Sequence, residues 1–163
     1  MSMNEGELTS MPLAELRAER DSLRAEEDAV SFVRRLAQGR VDLVAAVRAH
    51  RESDGSGSIA DIIRSGVGAA PSTGSSRPPR DTEVAADHPL VEEFEHLSDR
   101  LGFDDMADLD PESLARLGQG LADFESRMSA RRRELFDRID ALTAELVRRY
   151  RDGDASVDSL LQG

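Results

Sequence analysis

The 163-residue chain contains no cysteine, no tryptophan and no lysine. Without cysteine it can form no disulfide, offer no thiolate nucleophile and hold no cysteine-ligated metal or iron–sulfur cluster. Aromatic residues make up only 4%, with one tyrosine and five phenylalanines, against 39% hydrophobic and 33% charged residues. That balance is too poor in bulky side chains for a large compact core and favours sustained helix over sheet. No stretch approaches the roughly 18 apolar residues of a membrane-spanning helix. Residues 1–10 carry neither the apolar run nor the basic residues of a secretory signal. A cytoplasmic protein with no membrane partner is therefore expected. The net charge of −12 argues against direct DNA binding and favours a basic partner or simple solubility.

Two long helical patterns dominate what is present. In residues 12–51, Leu16, Leu23, Val30, Ala37 and Val44 recur every seven positions, with Val33 and Val47 on the second seam position. Glu19, Glu26 and Arg40 occupy the other slots of that second position and leave the seam imperfect. Ser10 reads as the N-cap, and Pro12 suits a first turn because its missing amide hydrogen has no intrahelical partner there. A helix of this length extends roughly 60 Å at about 1.5 Å per residue. No compact domain of this size could wrap it, so it needs a long partner, as in a coiled coil.

That partner is the pattern over residues 110–152. Asp110-Pro111 forms an N-cap and first-turn pair, and Gly153 follows the end. Leu114, Leu121, Met128, Leu135 and Leu142 form one seam line, Leu117 and Phe124 begin the other, and Ile139, Leu146 and Tyr150 extend the apolar face. Gly118 and Gly120 weaken its first turns by about 1 kcal/mol each relative to alanine.

The remaining segments read as connections. Residues 1–11 are expected to be a flexible N-terminus and residues 153–163 a flexible tail. Residues 52–86 are rich in glycine, serine and proline and read as a disordered linker, with only Ile59–Arg64 able to form a helical turn, capped by Ser58. GSGS and STGSS within it are not phosphate loops, because neither is followed by Gly-Lys-Ser/Thr. Residues 87–109 hold a short amphipathic helix, with Leu90, Phe94, Leu97 and Leu101 on one face and Gly102 as its stop. Phe103, Met106 and Leu109 then tuck the connector back. The expected fold is all-α: an antiparallel two-helix coiled-coil hairpin with one additional short helix and a disordered linker.

The most informative feature is polar. Glu27, Ser31, Arg34, Gln38 and Asp42 stand at steps of four, three, four and four, within roughly an 80° arc at about 100° per residue. The same steps recur in the second helix at Glu125, Ser129, Arg132, Phe136 and Asp140. Four of five residue types are reproduced, and both stripes follow the seam by one position. An antiparallel register that sets Glu27 opposite Asp140, Arg34 opposite Arg132 and Asp42 opposite Glu125 lays the stripes side by side about a pseudo-two-fold. It also matches the helix ends to within about a turn.

A single such stripe would be an ordinary exposed flank of a coiled coil, with weak salt bridges. Helix periodicity generates the spacing but not the duplicated identities. Arginine can donate two hydrogen bonds to guanine O6 and N7, fork onto a phosphate, or stack on a base. An aspartate can accept from guanine N1–H and the 2-amino group together, and Ser and Gln can supplement base or phosphate contacts. Paired stripes suit a two-fold-symmetric guanine ligand, and cyclic di-GMP has that symmetry.

The E-x3-S-x2-R-x3-Q-x3-D pattern at Glu27–Asp42, its degenerate copy at Glu125–Asp140, and the flanking VSFVRRLAQGRVDLV and RRRELFDRIDALTAELVRRYRDG together resemble the RsiG family. These are actinobacterial anti-sigma factors that use cyclic di-GMP to hold the sporulation sigma factor WhiG. The resemblance covers both long helices. It implies a cyclic di-GMP-binding antiparallel coiled coil that sequesters a WhiG-type sigma factor and keeps sporulation genes off. It also implies that Glu27, Ser31, Arg34, Gln38, Asp42, Glu125, Ser129, Arg132 and Asp140 contact the ligand. Phe136 departs from the pattern, and is expected to pack on the neighbouring helix or on a guanine face. Arg35, Arg131 and Arg133 are secondary phosphate-contact candidates.

The alternative is a coiled-coil protein–protein interaction module without nucleotide binding. An enzyme is not expected. His50, His88 and His96 show no metal-ligand spacing, no nucleophile–base arrangement is visible, and carboxylates on an open helix surface are poorly placed to shift in pKa.

Overall fold

The computed structural model describes residues 5–53, 58, 59, 62, 64 and 87–151. Its helices are α1 (Glu5–Ser10), α2 (Leu13–Glu52), α3 (Pro89–Arg100) and α4 (Pro111–Arg151), and no strand occurs among the described residues. The fold is all-α. The chain divides into two compact units, one of residues 1–28 and 131–163 and the other of residues 29–130. Both long helices contribute to each.

In the first unit, Leu16 and Leu23 of α2 are buried with Leu135, Ile139, Leu142 and Leu146 of α4. Pairing of Glu19 with Arg138 and of Glu26 with Arg131 shows that the two helices run in opposite directions there. Where a flexible N-terminus is expected, residues Glu5–Ser10 form α1, and Leu8 is buried. Ser10, the expected cap of α2, is therefore the last residue of α1, and the Pro12 carbonyl accepts the first hydrogen bond of α2 from the Leu16 amide at 3.0 Å.

A six-residue helix is too short to stand on its own propensity. Its support comes from Arg149, which is only 9% exposed. The Arg149 guanidinium donates to the carbonyls of Leu8 (2.7 Å), Thr9 (3.0 Å) and Met11 (2.6 Å), satisfying the open carbonyl end of α1 and the turn after it. Glu145, also buried, accepts from Arg149 Nε at 2.8 Å and so balances its charge.

The second unit is built on Val30, Val33, Ala37, Val44 and Val47 of α2 against Leu114, Leu117, Leu121, Phe124 and Met128 of α4, all buried. Helix α3 adds Leu90, Val91 and Phe94, and the Phe94 and Phe124 rings lie 5.0 Å apart in a tilted arrangement. Pro89 opens α3, and the His88 side chain accepts from the Leu90 amide at 3.2 Å as its N-cap. Gly102, at φ 76°, closes α3: its amide bonds the Asp99 carbonyl while the Phe103 amide bonds that of Ser98. This is a Schellman ending, which needs the left-handed backbone that glycine adopts without strain.

Arg51 then donates to the carbonyls of Leu109, Met106 and Ala107, fixing the connector on which Met106 is buried. Asp110 caps α4, accepting from the amides of Glu112 and Ser113 at 3.0 Å each. Gly120 has a packing reason beyond its poor propensity, because a Cβ there would stand 2.6 Å from the Leu101 side chain.

The imperfect seam positions are ion pairs rather than defects. Glu19 meets Arg138 at 3.0 Å, and Glu26 meets Arg131 at 2.7 Å. Arg40 meets Glu95 of α3 at 2.8 Å, with its guanidinium between the Phe94 and Phe103 rings at 4.7 and 4.5 Å. Tyr150 departs from the expected apolar face. It is 42% exposed, and its hydroxyl accepts from Arg17 Nε at 3.0 Å.

Ile59, Ile62 and Arg64 are helical, with the Ile62 amide on the Ser58 carbonyl. The rest of the expected linker beyond Ser53, and the expected tail at 153–163, lie outside the described residues.

Candidate ligand-binding site

Most stripe side chains, Glu27, Arg34, Gln38, Glu125, Ser129, Arg132 and Phe136, are half-buried beside the seam, with Ser31 buried and Asp42 and Asp140 exposed. In the first unit, Arg132 of α4 donates from Nε to Glu27 of α2 at 2.9 Å. The Arg132 guanidinium also lies over the Phe136 ring, one turn along its own helix, at 4.7 Å. The contact Phe136 makes is thus with an arginine of its own helix, where packing on the neighbouring helix or a guanine face is expected from the sequence. Asp140 is exposed.

The second unit holds the reciprocal arrangement. Arg34 of α2 donates to Glu125 of α4 at 3.2 Å, and Ser129 donates to the same carboxylate oxygen at 2.8 Å. Ser31 is buried beside the seam. Gln38 donates to Asp42 at 3.0 Å along α2, and Asp42 itself is exposed. The Nε–H of Arg34 is buried and meets no acceptor among the described residues.

These pairs correct the register expected from the sequence. Glu27 meets Arg132 rather than Asp140, and Glu125 meets Arg34 rather than Asp42. The shift is about two helical turns. Setting like positions opposite one another would have faced arginine with arginine and carboxylate with carboxylate. The observed register puts each glutamate against the arginine of the other helix, which electrostatics favours.

Of the secondary candidates, Arg131 is committed to Glu26, Arg35 is half-buried and Arg133 is exposed. The sequence reading overlooked the buried Glu145–Arg149 pair. Its signal was an acid and a base four residues apart, immediately beside the seam residues Leu142 and Leu146.

The stripes bring guanidinium and carboxylate groups together on the flank of each unit. Guanidinium groups are held by carboxylates at a partly exposed surface, one stands on an aromatic ring, and two further carboxylates are exposed. Among the described residues no group of three or more His, Asp or Glu could hold a metal ion, and no helix is long and apolar enough to cross a membrane.

No curated protein matches the sequence significantly. A family model described as RsiG-like matches residues 3–66 and 102–163, which takes in both polar stripes and leaves α3 outside. The chain belongs to the RsiG-like family.

Proposed function

We propose that the protein is an anti-sigma factor that binds cyclic di-GMP through its duplicated polar stripes and, so loaded, sequesters a WhiG-type sigma factor and keeps sporulation genes off. The observation that carries this reading is the reciprocal pairing of stripe residues, Arg132 with Glu27 and Arg34 with Glu125. Membership of the RsiG-like family supports it.

The residues fit a guanine nucleotide. The Nε–H of Arg34 meets no acceptor among the described residues, and a phosphate or guanine oxygen would supply one. Asp42 and Asp140 are exposed, and a carboxylate there can accept from the N1–H and 2-amino edge of guanine. Glu27 and Glu125 position the arginines, with Ser129 holding the Glu125 oxygen. Such partly exposed ion pairs contribute only about 0–1 kcal/mol each. Opening or sharing them on ligand binding is correspondingly cheap.

Cyclic di-GMP supplies two guanines and two phosphates, and it couples to sigma binding only by favouring the ternary complex over the separate components. Falling cyclic di-GMP then releases the sigma factor. The acidic chain suits a partner with basic surfaces.

The test is calorimetric titration with cyclic di-GMP, GMP and cyclic di-AMP, followed by sigma-factor binding with and without cyclic di-GMP. Guanine-selective binding and nucleotide-dependent complex formation are expected. Arg34→Ala and Asp42→Ala should each weaken nucleotide binding with helicity unchanged. Sigma binding indifferent to cyclic di-GMP would instead support a protein–protein interaction module without nucleotide.

A further inference from the structure

The two stripes are not chemically equivalent, and the difference lies at the position where glutamine becomes phenylalanine. In the first stripe Gln38 donates to Asp42. In the second, Phe136 cannot donate, and the Arg132 guanidinium lies across its ring at 4.7 Å. Glu27 holds the edge of the same guanidinium through Nε. A planar cation fixed at one edge by a carboxylate and on one face by an aromatic ring has lost most of its rotational freedom. Its side chain is still 36% exposed.

We propose that Phe136 is a positioning residue that presents the Arg132 guanidinium as a stacking platform for a purine base, so that the second stripe recognises its nucleotide by stacking where the first uses polar contacts. The proposal rests on the nucleotide-binding reading above. The residues it needs, Glu27, Arg132 and Phe136, all lie in one compact unit. A guanidinium stacks on a base through its flat face. A guanidinium already ordered by a ring and a carboxylate forfeits less side-chain entropy when the base arrives. Phenylalanine at this position thus replaces a hydrogen-bonding contact with preorganisation.

The experiment compares the wild-type protein with Phe136→Tyr, Phe136→Leu and Phe136→Gln, the last restoring the residue type of the first stripe. Cyclic di-GMP titration is paired with circular dichroism and with the NMR resonance of the Arg132 Nε–H group. Ring-current shielding should displace that resonance upfield in the wild type and in Phe136→Tyr, and release it in the other two. Cyclic di-GMP affinity should fall about tenfold in Phe136→Leu and Phe136→Gln, as expected for loss of a partly desolvated cation–π contact, and remain within about twofold in Phe136→Tyr.

Wild-type affinity in Phe136→Gln or Phe136→Leu with helicity unchanged overturns the proposal, as does an unshifted Arg132 resonance in the wild type. A wild-type protein that binds cyclic di-GMP while the variants are unaffected removes this inference alone. A wild-type protein that binds none removes the functional reading beneath it.

Discussion

Arg149 near the end of α4 donates to the carbonyl of Leu8 in α1 at 2.7 Å, across 141 positions of sequence. This contact, with those to Thr9 and Met11, ties the short N-terminal helix to the first unit. Arg149→Ala removes four hydrogen bonds and leaves the buried Glu145 carboxylate with Arg148 alone. A loss of about 2–4 kcal/mol is expected, since removing one partner of a buried charge pair leaves the other uncompensated. Urea unfolding measures it, and hydrogen exchange should show α1 opening first.

Glu145 makes the acid limb of stability specific. Hydrogen bonds from Arg148 and then Arg149 outweigh burial and lower its pKa from 4.5 to about 2. A carboxylate depressed in the folded state stabilises above its unfolded pKa and loses that contribution as pH falls through the folded value. The window for this residue is therefore between about pH 4.5 and 2. Unfolding followed from pH 6 to 2 should show a decline in that window which Glu145→Gln reduces, from a lower starting stability.

Gly102 closes α3 at φ 76°. Gly102→Ala should destabilise the protein by about 1–2 kcal/mol, the cost of holding an L-residue in left-handed backbone. Gly102→Asn should cost less, because asparagine tolerates that region. Thermal unfolding of the two variants side by side checks the order.

The Glu27–Arg132 pair is partly exposed, so its worth to the folded protein is small. A double-mutant cycle on Glu27→Ala and Arg132→Ala should give a coupling of about 0.3–1 kcal/mol that shrinks in high salt. Nucleotide affinity should respond far more strongly than stability to Arg132→Ala. Equal effects on both would assign the arginine to the helix pair alone.

The seams were legible because burial imposes a repeat. Leu16, Leu23, Val30, Ala37 and Val44, and Leu114 through Leu142 opposite them, all lie in the core. Asp110 and Gly102 were legible as caps because their chemistry is local. What escaped was determined at long range. Six residues without a repeat become α1 because an arginine far along the chain donates to their carbonyls. Glu19, Glu26 and Arg40 read as flaws until their partners Arg138, Arg131 and Glu95 are seen. The stripe register was misjudged because matching like residues follows sequence symmetry, whereas side chains follow charge. Phe136 was ambiguous between helix and ligand, and its use as a support for Arg132 depends on a neighbour one turn away.

Opposed helix directions in the first unit have an electrostatic consequence. The amino end of α2, with Glu15 in its first turn, runs beside the carboxyl end of α4, with Arg148, Arg149 and Arg151 in its last. Each helix end carries roughly half an elementary charge, positive at the start and negative at the finish. Side by side these fractional charges neutralise one another, and the acidic and basic side chains each offset the end to which they belong. A strongly anionic chain is thus spared a concentrated field at that end of the unit, so a basic partner approaching it would be steered by side chains rather than by the backbone.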